Sequence, residues 1–411
     1  MNIHEMIRRT IDVMYNILSA PVLDYRARRY LFKLKKKKTS KEKIDVLFIV
    51  QMPELWNKQL SVYETMLKND YFNPKLLIIP KYDFVNKKIG AYGDELLYFR
   101  KYDKNALTLE NINDIVLILK SYDYVFYQRE YDIYLPPVLR CKNVIKYSKT
   151  CYIPYSTPEA KKTVLYGRQF YRNIYLGFLD SDYSCKFVRR KFKYNVKKDL
   201  QKFLYLGYPS FEKILNEKYE CYYKNILWTP RWSYDSRVGG SHFFEYCDVI
   251  NAFSKLNKDI NVCIRPHPLM FENFIRQKMM TEEQVKRYKE EVIKSRAFFD
   301  SNKDIFDTFQ STDILISDIS SVIPMYFLTG KPIIYCPRNI EYSWLFETII
   351  PGLYIAENEE KLKIYLEKLT KGEDELKEIR QSILEMFSKL NENATNKIVN
   401  AIYYDFCIQN N

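Results

Sequence analysis

"DILISDISSVIPMYFLTGKPIIYC", Asp313–Cys336, is the stretch on which the fold turns. "DILIS" is apolar on both faces, the pattern of a strand in a parallel sheet covered by helices. Ser320 or Ser321 then stands where a helix N-cap belongs, and Pro324 falls within the first turn, where its missing N–H costs nothing. "MYFLT" completes a short helix, Gly330 is the C′ residue that ends it, and "KPIIYC" is a second strand. A strand, a short helix and another strand at once make a βαβ unit of an open α/β sheet. The helix N-terminus, flanked by two hydroxyls, suits phosphate or ribose oxygens. Asp318 does not suit a phosphate but is able to accept hydrogen bonds from sugar hydroxyls. Ordinary capping by Ser and Asp is the plainer reading of any single such turn.

The same alternation runs outward in both directions. "IDVLFIV" (44–50), "KLLIIP" (75–80), "YDYVFYQ" (122–128), "CYIPY" (151–155) and "FLYLGYP" (203–209) read as one series of strands. "NILWTP" (225–230), "INVCIRPHP" (260–268), "DILISD" (313–318), "KPIIYC" (331–336) and "GLYIA" (352–356) form a second. Helical patterns separate them, and "DELKEIRQSILEMFSKL" and "ATNKIVNAIYYDF" close the chain. Two such series in 411 residues imply an α/β protein of two Rossmann-like domains facing a cleft, with ligands at the carboxyl ends of the strands. The expected divisions are a basic segment at 1–43, a first domain at 44–215, a second at 216–390 and a terminal helix at 391–411.

The motifs fall at strand ends. "IRPHP" places Arg265 and His267 just past a strand, with two prolines stiffening the turn. A guanidinium as phosphate clamp and an imidazole as proton carrier suit phosphoryl chemistry there. "LWTPRWSYDSRVGGSHFFEY" is a strand, a loop and a helix start. Gly239 and Gly240 let a phosphate approach backbone N–H groups, Ser241 would cap the helix, and Arg231 and Arg237 bring positive charge to the loop. The spacing matches neither a P-loop nor a dinucleotide fingerprint. In the first half "YQREYDIYLPP" and "YIPYSTPEAKK" are tyrosine-rich strand ends suited to an acceptor.

Composition excludes other classes. Aromatics are 16% and apolar residues 47% of the chain, so it can bury large cores. No signal peptide or run of about 20 apolar residues is present, and the eight scattered cysteines lack the spacing of a zinc site or disulfide framework. A cytoplasmic protein with neither metal nor cofactor is expected; the only D-x-D run, "DSD" at 180–182, reads as the start of a polar loop. Of the net charge of +14, residues 1–43 carry 12 Lys/Arg against 4 Asp/Glu. Ile3, Met6, Ile7, Ile11, Met14, Ile17 and Leu18 recur at helical spacing ahead of "RARRYLFKLKKKK". An amphipathic helix followed by a lysine cluster fits an anionic membrane surface, or a helix packed on the body. The nearly neutral remainder carries no nucleic-acid motif, so nucleic acid is not an expected partner.

Taken together, "LGYPSFEKI", "ILWTPRW", "IRPHP" and "DILISDISSV…GKPIIY" resemble, in order and spacing, the CDP-glycerol glycerophosphotransferase family of teichoic acid primases, polymerases and capsule-assembly relatives. The resemblance implies a GT-B fold and a peripheral position on the inner face of the cell membrane. A CDP-activated donor would bind the second domain, and a lipid-linked glycan acceptor the first. It implies that His267 works at the transferred phosphate, that Ser317, Asp318, Ser320 and Ser321 hold the nucleotide, and that Thr229, Arg231 and Gly239–Ser241 approach the pyrophosphate. Two positions depart from the pattern. The family's acceptor-side histidine is replaced within "PYSTP" by Tyr155 and Ser156, and Met325 stands where "SSVIFDY" would put an acid. Candidates for the missing base are Tyr155, Glu130, Asp132 and Glu159. The expected activity is transfer of a glycerol-phosphate or other polyol-phosphate unit to a teichoic-acid-like or capsular glycan. The alternatives are a capsule glycosyltransferase using a nucleotide sugar and a catalytically silent polymer-binding relative.

Overall fold

The computed structural model describes residues 20–38, 40–111, 114–158, 168–234, 240–302, 304–338 and 340–410. Two compact units emerge. The first runs to Tyr155, resumes up to Tyr208 and is completed by the C-terminal helix Ala394–Asn410; the second is built from Pro209–Glu392 together with the segment that begins at Ser156. The chain therefore changes unit some seven residues earlier than the expected division, and the terminal helix is part of the first core.

The first unit is a seven-stranded parallel sheet. Its strands are β1 (Ile44–Val50), β2 (Phe72–Ile78), β5 (Leu107–Thr108), β6 (Tyr124–Tyr127), β7 (Lys149–Tyr152), β8 (Leu176–Phe178) and β9 (Lys202–Leu204), in the order β5-β2-β1-β6-β7-β8-β9. A small antiparallel pair, β3 (Tyr82–Asp83) and β4 (Lys88–Ile89), projects beyond β2. Aromatic residues fill the space beside the central strands: Phe48 stacks on Phe126 at 4.7 Å and meets Trp56 and Tyr63 edge-on. Each such buried ring contributes roughly 1.5–3 kcal/mol.

The C-terminal helix is fastened to the sheet by a buried ionic knot. Asp405 accepts hydrogen bonds from Lys149 Nζ at 2.7 Å, Lys202 Nζ at 2.8 Å, Tyr124 at 2.8 Å and Tyr175 at 3.2 Å. Burial alone would raise its carboxyl, but the two ammonium groups outweigh it and hold it below the usual range.

Residues 20–35 are helical and pack on this unit through the buried Ala27, Leu31 and Leu34. Arg28 bonds Asn195 at 3.1 Å and lies 4.1 Å above the Tyr194 ring. The amphipathic stretch expected at Ile3–Leu18 lies outside the described residues.

The second unit is a six-stranded parallel sheet: β10 (Asn225–Thr229), β11 (Asn261–Ile264), β12 (Phe298–Phe299), β13 (Ile314–Asp318), β14 (Ile333–Cys336) and β15 (Tyr354–Ile355). The order β12-β11-β10-β13-β14-β15 is the 3-2-1-4-5-6 arrangement of doubly wound sheets. β13 is buried along its whole length, as its two-faced apolar pattern requires. The expected helix after it spans Val322–Phe327, with Gly330 in the left-handed region at φ +76° two residues beyond the cap. The "DSD" run does not open a loop: Ser181 caps the helix Asp182–Lys191, and Asp180 is buried.

Candidate active site

In a 3-2-1-4-5-6 sheet the crossovers diverge between the first and fourth strands, and a crevice opens at their carboxyl ends. Here those strands are β10 and β13, which end at Thr229 and Asp318. Thr229 Oγ1 lies 2.7 Å from Ser317 Oγ, which lies 3.3 Å from Ser320 Oγ. This chain of hydroxyls starts in the interior and reaches solvent at Ser320 and Ser321, both partly exposed. Ser321 occupies the N-cap position, but with φ −67° and ψ −8° it is already helical and its side chain caps nothing. The expectation of side-chain capping is thereby corrected; Ile323 N–H instead bonds the Ser320 carbonyl at 3.2 Å.

Asp318 is corrected more substantially. It is only 2% exposed and accepts four hydrogen bonds. Oδ2 takes the Arg231 backbone N–H at 2.9 Å and the Ser241 hydroxyl at 3.0 Å. Oδ1 takes the His242 backbone N–H at 3.1 Å and faces His242 Nδ1 at 2.8 Å. A carboxylate has about four acceptor positions, so none is left for a sugar hydroxyl. Asp318 is a brace that ties both ends of the loop following β10 to the end of β13.

The brace shapes the glycine turn. Gly239 and Arg237 lie outside the described residues. Gly240 has φ +60°, and a Cβ there would come within 3.1 Å of Arg338. Arg338 donates to the Ser241 carbonyl at 2.7 Å and to Glu245 at 2.8 Å. Ser241 Oγ also accepts the Phe243 N–H at 3.2 Å, but the N-cap position of helix Phe243–Leu256 is held by His242, not by Ser241 as the sequence suggests. His242 stacks on Tyr246 at 5.1 Å. His242 and Arg338 were not singled out in the sequence; the rarity of histidine, three in the chain, was the one signal available for the first.

His267 follows β11. Its Nδ1 accepts the Leu269 N–H at 3.1 Å, which leaves the proton on Nε2. Burial pushes its pKa down to about 4, and the positive charge of Arg231 adds to the effect. The residue is nonetheless exposed to solvent, which screens part of this effect; the direction, an imidazole neutral at pH 7 with Nε2–H as a donor, is what matters for chemistry. Arg231 itself directs Nη1 to the Ile319 carbonyl. Arg265, expected as a phosphate clamp, commits Nη1 to Asp300, the Asn302 carbonyl and Thr308. It ties β11 to the loop beyond β12.

Tyr155 belongs to the first unit, where its ring lies 6.1 Å from that of Tyr131. Among the described residues no three His, Cys, Asp or Glu side chains are grouped so as to hold a metal ion.

The model of one family, CDP-Glycerol:Poly(glycerophosphate) glycerophosphotransferase, matches residues 176–404, more than half of the chain. No curated protein matches by sequence. Among solved structures, the wall teichoic acid polymerase TagF in a variant soaked with CDPG superposes with a TM-score of 0.55 at 16% identity, covering 100% of this chain and 99% of that one. A putative UDP-N-acetylglucosamine 2-epimerase from Listeria monocytogenes gives 0.55 at 12% identity, over 89% of this chain and 97% of that one. A UDP complex of S. aureus MnaA gives 0.53 at 12%, over 88% and 97%. These likenesses establish the GT-B-like fold. The strand-end motifs, the two doubly wound sheets and the family match agree: the chain is a transferase of the CDP-glycerol:poly(glycerophosphate) glycerophosphotransferase family.

Proposed function

We propose that this protein moves a glycerol-phosphate unit, or a closely related polyol phosphate, from a CDP-activated donor to a hydroxyl of a lipid-linked, teichoic-acid-like acceptor. The observation that carries the donor side is His267: a neutral imidazole whose Nε2–H is fixed as a donor beside Arg231, at the end of a strand flanking the β10/β13 crevice. An acceptor hydroxyl attacks the β-phosphorus, the bond from that phosphorus to the bridging oxygen breaks, and CMP departs with the electron pair. His267 hydrogen-bonds the developing charge and Arg231 adds positive potential, an effect that mutagenesis elsewhere values at about 10²–10³-fold in rate. Ser320 and Ser321 present hydroxyls to the nucleotide, with Thr229 and Ser317 behind them, and the Gly240–Ser241 turn offers backbone N–H groups to the phosphates.

The basic segment supports a position on the inner membrane face. Residues 20–35 turn Val22, Tyr25 and Phe32 outward among Arg26, Arg29, Lys33 and Lys36, all exposed. Rings and cations on one face suit an anionic lipid surface, at about 1 kcal/mol per basic residue. Among the described residues no helix is long and apolar enough to cross a membrane.

One observation favours a different donor. Met325, at the position where the family carries an acid, is buried, so the ribose contact an acid would make is missing and a nucleotide sugar becomes the second reading. Calorimetric titration with CDP-glycerol, CDP-ribitol, CMP and UDP- and GDP-sugars separates the two. Binding of a CDP-polyol supports phosphotransfer, binding of a sugar nucleotide alone supports glycosyl transfer, and binding of neither leaves a silent relative.

A further inference from the structure

The first unit has a crevice of its own. Its strand order β5-β2-β1-β6-β7-β8-β9 begins as 3-2-1-4, which places a ligand outside the carboxyl ends of β1 and β6. Two loops stand there, one on each side of β1. The β3–β4 hairpin follows β2, and the turn Asp132–Tyr134 follows β6. Gln51, just past β1, joins them: its Nε2 donates to the Pro80 carbonyl at 2.9 Å and to the Tyr134 carbonyl at 3.3 Å. Phe84 of the hairpin meets the Tyr134 ring edge-on at 5.3 Å. Arg140 fixes the turn by donating to the Ile133 and Leu135 carbonyls, both at 3.1 Å, and its guanidinium lies 5.9 Å from the Tyr82 ring of the hairpin. Asp83 Oδ1 shapes the hairpin tip by accepting the Val85 and Asn86 N–H groups at 2.9 and 3.0 Å.

What these loops present outward is apolar. Phe84, Val85 and Ile89 on the hairpin and Tyr131, Ile133 and Tyr134 on the turn are all between 38% and 72% exposed. Large apolar side chains gathered on two touching loops form a patch of the kind that marks a binding surface. Cations rim it. Lys81, Lys87 and Lys88 are exposed on the hairpin, and Arg129 lies 4.6 Å above the Tyr134 ring while donating to Gln51 Oε1 at 2.6 Å. Burial lowers the pKa of Arg129 against the pull of Tyr134, Glu54 and Tyr155, so an anion beside it offsets what desolvation removes. Of the carboxylates nearby, Asp83 is engaged in the hairpin tip, and Asp132, one of the candidate bases, accepts the Cys141 N–H at 2.7 Å. Burial raises Glu130, a second candidate, to about 7; Glu159 lies outside the described residues. The three lysines, Arg129 and Arg140 outnumber Asp83, Asp132, Glu130 and Glu54, which leaves the patch suited to an anionic ligand.

We infer that this platform holds the phosphodiester-linked polyol or sugar chain of the acceptor, with C–H faces against Phe84 and Tyr134 and phosphates beside the hairpin lysines and Arg129. The inference deepens the glycerophosphotransferase reading above and rests on it for the identity of the chain. Rings suit the C–H-rich surface of a polyol or sugar, and a few placed charges orient an anionic ligand along them. A lipid surface fits this place less well. The other exposed rings and cations of the unit are on the helix at residues 20–35. Its Arg28 bonds Asn195 at 3.1 Å, and its Lys35 bonds the Lys198 carbonyl at 3.1 Å, both ahead of β9. That helix therefore packs at the amino ends of the strands, and a bilayer docked on it lies at the opposite end of the sheet from the platform.

The test titrates a synthetic glycerol-phosphate hexamer, and separately CDP-glycerol, into the purified full-length protein by calorimetry at low salt. Wild type is compared with Phe84→Ala/Tyr134→Ala, with Lys87→Gln/Lys88→Gln, and with Leu117→Ala, an exposed apolar position on helix Ile115–Ser121 of the same unit. Every substituted side chain is exposed, and circular dichroism checks that each variant keeps the fold. We expect the hexamer to bind wild type and Leu117→Ala alike. Its affinity should fall about tenfold or more in the ring variant and about threefold in the lysine variant, with CDP-glycerol affinity unchanged in both. Hexamer affinity within about twofold of wild type in the ring variant, or no binding of the hexamer to wild type, overturns the platform. Vesicles of phosphatidylcholine and phosphatidylglycerol form the second arm. Vesicle binding that falls in the ring variant while hexamer binding holds makes the patch a membrane contact and overturns the proposal as well. Wild type that takes the hexamer through these rings but binds no CDP-polyol removes the donor reading and leaves the platform standing.

Discussion

Asp318 and His242 are joined twice, through the His242 backbone N–H at 3.1 Å and the ring Nδ1 at 2.8 Å, both to the same carboxylate oxygen. The last residue of β13 thereby sets the first turn of helix Phe243–Leu256, and with it the loop that carries Arg231 and Gly240. On the proposed function, this brace would act on donor binding by holding that loop, since the carboxylate's own acceptor positions are taken.

Replacing Asp318 by Asn should therefore damage folding and binding together. The amide keeps the shape but puts an N–H where one of the present donors points, leaving one or two buried donors unpaired at about 1–3 kcal/mol each. A loss of roughly 2–4 kcal/mol in urea unfolding is expected, with CDP-glycerol binding weakened at least tenfold. Weakened binding at unchanged stability would mean that Asp318 contacts the donor directly.

The turn it supports is equally exacting. Gly240→Ala introduces a Cβ at φ +60° that meets Arg338 at 3.1 Å, and the left-handed region alone costs an L-residue about 1–2 kcal/mol. We expect a stability loss of that size and a donor affinity reduced several-fold, since the backbone N–H groups of the turn shift with Arg338.

Glu130 makes a pH-dependent contribution of predictable sign. Its folded pKa is raised from 4.5 to about 7 by burial, so between those values the folded state holds a proton that the unfolded chain has released. Stability from this group is full below about pH 4.5 and falls as pH rises to about 7, by up to about 3 kcal/mol. Glu130→Gln should flatten that part of the stability–pH curve. Parallel curves for the two proteins would contradict the raised value.

Asp405 works in the opposite sense. Its carboxyl is held low by Lys149 and Lys202, so its contribution is present at neutral pH and lost as pH falls through the acid range. Removing it in Asp405→Ala strands two ammonium groups against the sheet, and the cost of breaking a buried ionic cluster is about 3–5 kcal/mol. Chemical denaturation of the first unit's tryptophan, Trp56, reads this directly. A change under 1 kcal/mol would show that water already reaches the knot.

The sequence announces what depends on local pattern. The two-faced apolar runs at Ile44–Val50 and Ile314–Asp318 mark parallel strands because a parallel strand is covered on both sides. β8, β12 and β5 were missed: runs of two or three residues carry too little periodicity to register. The C-terminal helix read as a separate element because its partners, Lys149 and Lys202, are more than 200 residues away. Side-chain commitments were the least legible part. Nothing in "IRPHP" tells that Arg265 turns to Asp300, and nothing in "ISDISS" tells that Asp318 is enclosed by a loop 77 residues earlier. His267 stands out in the sequence because its type is rare and its place, between two prolines after a strand, is local information.

The measurement that bears most directly on the account is calorimetric titration of CDP-glycerol into wild type and His267→Gln at pH 7, with CMP release followed on the same samples. The account predicts binding to both proteins, within about tenfold of each other, and a fall of about 10²–10³-fold in CMP release for the variant. CDP-glycerol that fails to bind wild type, or a variant that releases CMP at the wild-type rate, would contradict it.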